Sequence, residues 1–193
     1  MEEIKVEIIS IDYVKNNIGM ILSCASKERL EKANKLNDKD YYRSIGAAYL
    51  LKKYLGDKCI GFNPNGKPYS IDGPYFNISH SGNYIALAIS EDRDIGIDVE
   101  RIDKRKVKTI QYILKNNEKT EDLQQLFQIW SNKESLLKCL GSNIGDIKDI
   151  PDLPLNGVRE FKGKTFYSVS NIYQGYSLSV TLEGNEPFEV QII

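Results

Sequence analysis

Glu134-Ser135-Leu136-Leu137-Lys138-Cys139-Leu140-Gly141 closes the strongest helical pattern in the chain. Leu123, Leu126, Phe127, Trp130, Leu137 and Leu140 fall at helical spacing, which predicts a helix over 122–140 stopped by Gly141. The same signature occurs earlier, in Tyr49-Leu50-Leu51-Lys52-Lys53-Tyr54-Leu55-Gly56. A second echo follows each helix. Phe76-Asn77-Ile78-Ser79, then Tyr84, is matched by Tyr167-Ser168-Val169-Ser170, then Tyr176. Each half therefore reads as a helix followed by a hairpin of strands. One such unit cannot bury its own apolar face, so two are expected to pack about a pseudo-two-fold axis. The expected class is α+β: a pseudo-two-fold pair of similar α/β halves, each a long helix packed on a small, mostly antiparallel sheet. The halves are placed at 1–97 and 98–193, in one compact unit with the site in the cleft between them.

Working outward, the 62–74 stretch reads as a polar loop presenting Gly66-Lys67-Pro68. Residues 38–55 read as a helix opened near Arg43 and ended by Gly56, and 26–35 as a helix capped by Ser26. Residues 5–13 read as an edge or outer strand. Strands at 76–79 and 84–90 flank Gly82-Asn83, with the sole histidine, His80, in their link. In the next strand Ile95, Ile97 and Val99 share one face, while Asp94, Asp98 and Glu100 share the other. Residues 101–119 are basic, 143–163 form a Pro/Gly-rich connection, and 164–182 return to strands.

Composition removes several function classes. The chain has 193 residues, 41% hydrophobic and 27% charged, enough for one substantial core. A net charge of -1 supplies no global field for nucleic acid. Cys24, Cys59 and Cys139 fit neither a disulfide framework nor a zinc site, and they suit a reducing, cytoplasmic setting. The acidic start MEEIKVEIIS is not a signal peptide, and no apolar run approaches membrane-spanning length.

The chemistry concentrates in three carboxylates. Asp98 and Glu100 leave the same face of a strand, and like charges there cost stability unless something positive is held. Glu134 falls on the apolar stripe of its helix, where an unpaired carboxylate is expensive. Packed together, the three would form a hard-cation site, with Mg2+ the expected ion and Mn2+ the alternative. Arg43, Lys67, His80 and Lys138 could hold phosphate oxygens. Each also has a plainer reading: a solvated arginine, a turn lysine, a turn histidine, and a Glu134–Lys138 pair on one helix face. Neither GxxxxGK[ST] nor GxGxxG occurs, so the pattern points to transfer at phosphorus outside the common nucleotide-binding plans.

Phe76-Asn77-Ile78-Ser79-His80-Ser81, Ile95-Gly96-Ile97-Asp98-Val99-Glu100 and Trp130-Ser131-Asn132-Lys133-Glu134-Ser135-Leu136-Leu137-Lys138 together resemble the three signature motifs of 4'-phosphopantetheinyl transferases. Order and spacing resemble the larger, surfactin-synthetase-activator type, which are monomers of two similar halves. The resemblance implies transfer of the 4'-phosphopantetheine arm of coenzyme A to a serine of an apo acyl or peptidyl carrier protein, with release of adenosine 3',5'-bisphosphate. It implies Asp98, Glu100 and Glu134 as magnesium ligands, Glu134 also as base, and Lys138 on the pyrophosphate. It implies His80 and Arg43 at the 3'-phosphate, Lys67 near the adenine end, and Ser79 nearby. It points to 104–120 as the carrier-docking element, with Tyr112, Ile113 and Leu114 offered to an apolar carrier surface. Fatty-acid, peptide and polyketide carriers all stay open as targets. The rivals are a magnesium-dependent nuclease, disfavoured because Ile102 stands where D…ExK wants lysine, and a non-catalytic carrier- or nucleotide-binding module.

Overall fold

The computed structural model describes residues 2–151 and 154–193. In chain order the elements are β1 (Glu2–Ser10), α1 (Ile11–Asn16), α2 (Ile18–Cys24), α3 (Lys27–Ala33), α4 (Asp38–Leu55), β2 (Ile60–Phe62), β3 (Pro68–Ser70), β4 (Tyr75–Ser81), β5 (Tyr84–Ser90) and β6 (Ile95–Arg101). Then follow α5 (Val107–Ile113), α6 (Leu123–Leu140), β7 (Gly157–Phe161), β8 (Lys164–Tyr173), β9 (Tyr176–Glu183) and β10 (Phe188–Ile192). Short 3-10 turns occupy Lys104–Lys106, Asn116–Glu118 and Ile144–Lys148.

The long helices start and stop where their side chains dictate. Asn37 accepts from the Asp40 amide and opens α4, with Asp38 and Asp40 in the first turn; Gly56, at φ 62°, ends it. The Asp122 carboxylate accepts from the Gln124 and Gln125 amides and opens α6. Gly141 adopts the left-handed conformation, so Ser142 N–H can reach back to the Leu137 carbonyl and close the helix.

Two four-stranded sheets carry these helices, in the orders β10-β1-β5-β4 and β6-β9-β8-β7. Only the β1–β10 pairing is parallel; the other pairings within both sheets are antiparallel. The repeat is thus β-α-β-β in each half. β1, α4, β4 and β5 correspond to β6, α6, β8 and β9, and the sheet orders β1-β5-β4 and β6-β9-β8 match. The helix-plus-hairpin echo was visible in sequence, but the leading strand of each unit was not. β1 is not the edge or outer strand expected, because the distant C-terminal β10 covers its free side, and it ends at Ser10, with 11–13 opening α1 instead. The 62–74 loop is partly ordered as the β2–β3 hairpin, and the 101–119 segment is ordered around α5. The strand carrying residues 97 and 98 lies wholly in the second sheet, and β10 returns to the first.

Apolar alternation lets both sheets use two faces. Ile4, Val6, Ala86 and Ala88 of the first meet Ile95, Ile97, Val99, Leu178 and Val180 of the second in a shared core. The opposite face of the first sheet packs Ile9, Ile85 and Leu87 on Ile45, Leu50 and Leu51 of α4. The opposite face of the second sheet is different. It meets α6 through hydroxyls: Ser131 with Ser177 and Ser179, and Ser135 with Thr181, at 2.5–2.8 Å. These small polar residues satisfy one another and let the helix lie close.

A buried ion pair braces the same helix. Lys133 Nζ lies 2.5 Å from Glu118 Oε1, with both side chains almost fully enclosed. The other carboxylate oxygen, Oε2, accepts from Lys115 N–H. Glu118→Gln is expected to lower unfolding stability by about 3 kcal/mol, read as a lower urea midpoint at unchanged m-value, because it removes one charge of a buried ion pair. Among the described residues no helix is long and apolar enough to cross a membrane.

Candidate active site

The two sheets meet where β4 runs along the open edge of β6. No main-chain ladder joins them. Alternate side chains of β4 accept the β6 amides instead: Asn77 Oδ1 from Ile97, Ser79 Oγ from Val99, and Ser81 Oγ from Arg101, at 3.0–3.2 Å. Because the strand period is two, 77, 79 and 81 all point the same way. Two of these hydroxyls continue onward. Ser79 donates to Asp98 Oδ1 at 3.1 Å, and Ser81 donates to Glu100 Oε1 at 2.7 Å. The seam between the halves thereby aims both β6 carboxylates toward α6.

α6 answers from the other side. Lys138 Nζ donates to Asp98 Oδ1 at 2.6 Å and to Ser79 Oγ at 3.0 Å. Glu134, one turn earlier and half-buried, is pushed up to about 7, first by burial, then by the Asp98 charge, with Glu100 adding and Lys138 opposing. The helix comes this close because Gly96 has no side chain: a Cβ there would lie 2.0 Å from the Ser135 carbonyl oxygen and 2.4 Å from Cys139 N. The structure therefore places Asp98, Glu100, Glu134, Lys138 and Ser79 on neighbouring stretches of β6, α6 and β4. No ready-made cage results. Among the described residues no three His, Cys, Asp or Glu side chains stand grouped as metal ligands. Asp98 is ion-paired to Lys138, and Glu100 to Lys106 at 2.7 Å. The donor set still fits a hard cation, since it is all oxygen and Asp98 Oδ2 is buried with no hydrogen-bond partner.

Arg43 and His80 lie beside this cluster. Arg43 is held in place by Asp40 at 2.8 Å and by the Gly82 carbonyl at 2.6 Å. His80 sits in β4 itself, not in the link, and is exposed. Partial desolvation, then the charges of Arg43 and Lys138, lowers its pKa below the usual histidine value, while a backbone hydrogen bond and Asp40 oppose them. Both residues line a cavity of about 910 Å³ walled by α3, α4 and the β2–β3 hairpin, and both line a smaller one that reaches Glu100 and Lys106. Sequence reasoning missed Arg29, Lys32 and Lys58, which also line the large cavity. Only the fold brings α3 and the loop after α4 together. It also missed Ser81, although the period-two relation to Ser79 was a legible signal.

Lys67 is not brought to this group. Its ammonium is committed to Asp94 at 2.5 Å and to the Cys139 carbonyl at 2.6 Å. In the 104–120 segment the expected apolar trio is split. Tyr112 is 79% exposed, whereas Leu114 turns inward with Ile110 onto Leu126 and Phe127 of α6. A helical turn cannot present three consecutive residues on one face.

Comparison with known proteins joins this geometry to a family. Residues 94–180, which span β6, α6 and most of β9, match the 4'-phosphopantetheinyl transferase superfamily. The chain is 32% identical over 143 residues to the 4'-phosphopantetheinyl transferase gsp of Aneurinibacillus migulanus, covering 65% of this chain and 60% of that protein. It is 32% identical over 157 residues to the putative 4'-phosphopantetheinyl transferase slr0495 of Synechocystis, covering 68% and 63%. It is 32% identical over 142 residues to the 4'-phosphopantetheinyl transferase Sfp of Bacillus subtilis, covering 64% and 63%. The chain matches the 4'-phosphopantetheinyl transferase superfamily. It spans about three fifths of the length of the first of these transferases. The two halves, sheet plus α4 and sheet plus α6, have the pseudo-two-fold arrangement of the transferase fold.

Proposed function

We propose that this chain moves the 4'-phosphopantetheine arm of coenzyme A onto a serine of an apo carrier protein. The observation that carries the reading is the Asp98–Ser79–Lys138 network at the junction of the halves, with the Glu134 carboxyl, pushed up to about 7, one helical turn before Lys138. A group with a pKa near the working pH is suited to take a proton from a hydroxyl. In the proposed step Glu134, directly or through water, accepts the serine proton. The serine oxygen bonds to the phosphorus bearing the pantetheine arm, and the bridging P–O bond breaks. Adenosine 3',5'-bisphosphate leaves with the bridging oxygen. Lys138 stabilises the charge that develops on the pyrophosphate oxygens.

Asp98, Glu100 and Glu134 would hold Mg2+ or Mn2+, which when bound supplies charge neutralisation at the pyrophosphate. Arg43 and His80 would hold the 3'-phosphate region at the large cavity, with Ser79 orienting Asp98 and Lys138 behind them. The carrier would approach the basic 104–120 surface, where Tyr112 stands exposed under Lys148, 5.3 Å from its ring. The chain is proposed to act as a monomer in the cytoplasm, with no nucleic-acid partner and no membrane association. Nothing in the site favours a nuclease, and D…ExK stays unmet.

The test is the intact mass of an apo carrier protein incubated with the chain, coenzyme A and Mg2+. A gain of about 340 Da, the arm delivered by metal-assisted phosphoryl transfer, is expected, and EDTA should remove it. No gain on either an acyl or a peptidyl carrier would sink the reading. Arg43→Ala is expected to weaken coenzyme A binding about tenfold but dephospho-coenzyme A binding little, by calorimetry, since only the former offers a 3'-phosphate to the guanidinium.

A further inference from the structure

The end of α6 is held by the other half of the molecule. A helix leaves its last carbonyls without intrahelical partners. Here the β2–β3 hairpin supplies them. Lys67 Nζ donates to the Cys139 carbonyl at 2.6 Å, and Asn65 Nδ2 donates to the Gly141 carbonyl at 2.8 Å. Asn63 shapes the turn that delivers both, its Oδ1 accepting from the Asn65 and Lys67 amides at 3.0 and 2.8 Å. The same ammonium pairs with Asp94, the residue just before β6. The lysine side chain is 11% exposed, while its Asp94 partner faces solvent on one side. One lysine therefore ties three pieces together: the hairpin, the foot of the strand bearing Asp98, and the last turn of the helix bearing Lys138. A cation there also suits the negative end of the helix dipole.

We propose that Lys67 and Asn65 are positioning residues that fix the last turn of α6 on β6, and so hold Lys138 against Asp98. This gives Lys67 a different job from the adenine contact that the family resemblance implies. The activity arm of its test rests on the transferase reading above; the exchange arm does not.

The experiment uses the full chain with Lys67→Met, Lys67→Arg and Asn65→Ala. Three readouts are taken: amide hydrogen exchange over 137–143, coenzyme A affinity by calorimetry, and kcat with KM on an apo carrier. Expected for Lys67→Met is faster exchange confined to 137–143, coenzyme A affinity within twofold of wild type, and kcat lowered about tenfold by misplacement of Lys138. Lys67→Arg keeps a donor and a charge and recovers most of the exchange protection. Asn65 is exposed, so Asn65→Ala reports on the cap if Lys67→Met does not fold, and it should show the same local exchange change in smaller measure. Unchanged exchange together with a tenfold loss of coenzyme A affinity would make Lys67 a nucleotide contact and overturn the proposal. If wild type transfers nothing, the proposed function fails while the exchange result still decides this inference.

Discussion

Glu134→Gln is expected to abolish measurable arm transfer, by about 10³-fold in kcat, while coenzyme A still binds. The amide keeps the size of the side chain and loses the ability to take a proton. Equal turnover would remove Glu134 from the mechanism. A second readout needs no substrate. In the folded chain Glu134 is raised from the ordinary 4.5 to about 7, so the fold favours its protonated form. Its contribution to stability is fully present below pH 4.5 and is lost as pH rises through about 7. The loss builds between those limits and reaches about 3 kcal/mol above pH 7. Without divalent cations, Glu134→Gln should therefore be more stable than wild type at pH 8 and equal to it at pH 4. Urea titrations in EDTA at both pH values measure this. A variant that is no more stable at pH 8 would show that Glu134 is not electrostatically strained by Asp98 and Glu100.

Gly96→Ala is expected to damage both fold and chemistry. The added methyl would meet the Ser135 carbonyl oxygen at 2.0 Å, Cys139 N at 2.4 Å and Cys139 Cα at 2.9 Å. All three are backbone, so no side chain can rotate away. The helix must back off the strand, breaking the hydroxyl contacts of Ser131 and Ser135 and drawing Glu134 and Lys138 away from Asp98. Overpacking of this kind costs about 3 kcal/mol, and a displacement of about 1 Å at a reacting centre lowers turnover about 10²-fold. The control is Gly19→Ala, where an added methyl meets nothing within 4 Å. That helical position should come out about 0.5–1 kcal/mol more stable, with turnover unchanged. Thermal melts and kcat on the two variants decide it. Wild-type behaviour of Gly96→Ala would mean that α6 does not need this close approach.

Local chemistry made much of this protein legible. The cap Ser26 and the stops Gly56 and Gly141 mark helix ends through their own hydrogen bonds and backbone freedom, so they could be read residue by residue. The period of two separated Ile95, Ile97 and Val99 from Asp98 and Glu100, and the structure keeps those faces apart. The repeated helix and hairpin announced two halves. Long-range pairing was a different matter. Whether β1 is an edge depends on β10, which lies at the far end of the chain. Arg29, Lys32 and Lys58 become neighbours of Arg43 only when α3, α4 and the hairpin surround one cavity. Lys67 looked like a turn lysine or a phosphate ligand, and its partners Asp94 and Cys139 are distant in sequence.

The sequence by itself determined three of the helices, α3, α4 and α6, along with the strand faces, the doubling of the unit and the residue types suited to phosphorus chemistry, because those follow from local propensity, capping and periodicity. Only the tertiary structure decided which carboxylate faces which lysine, how closely α6 lies on Gly96, and that three β4 side chains stand in for a main-chain ladder between the sheets. Those outcomes depend on packing distances between segments far apart in the chain, which no local pattern encodes.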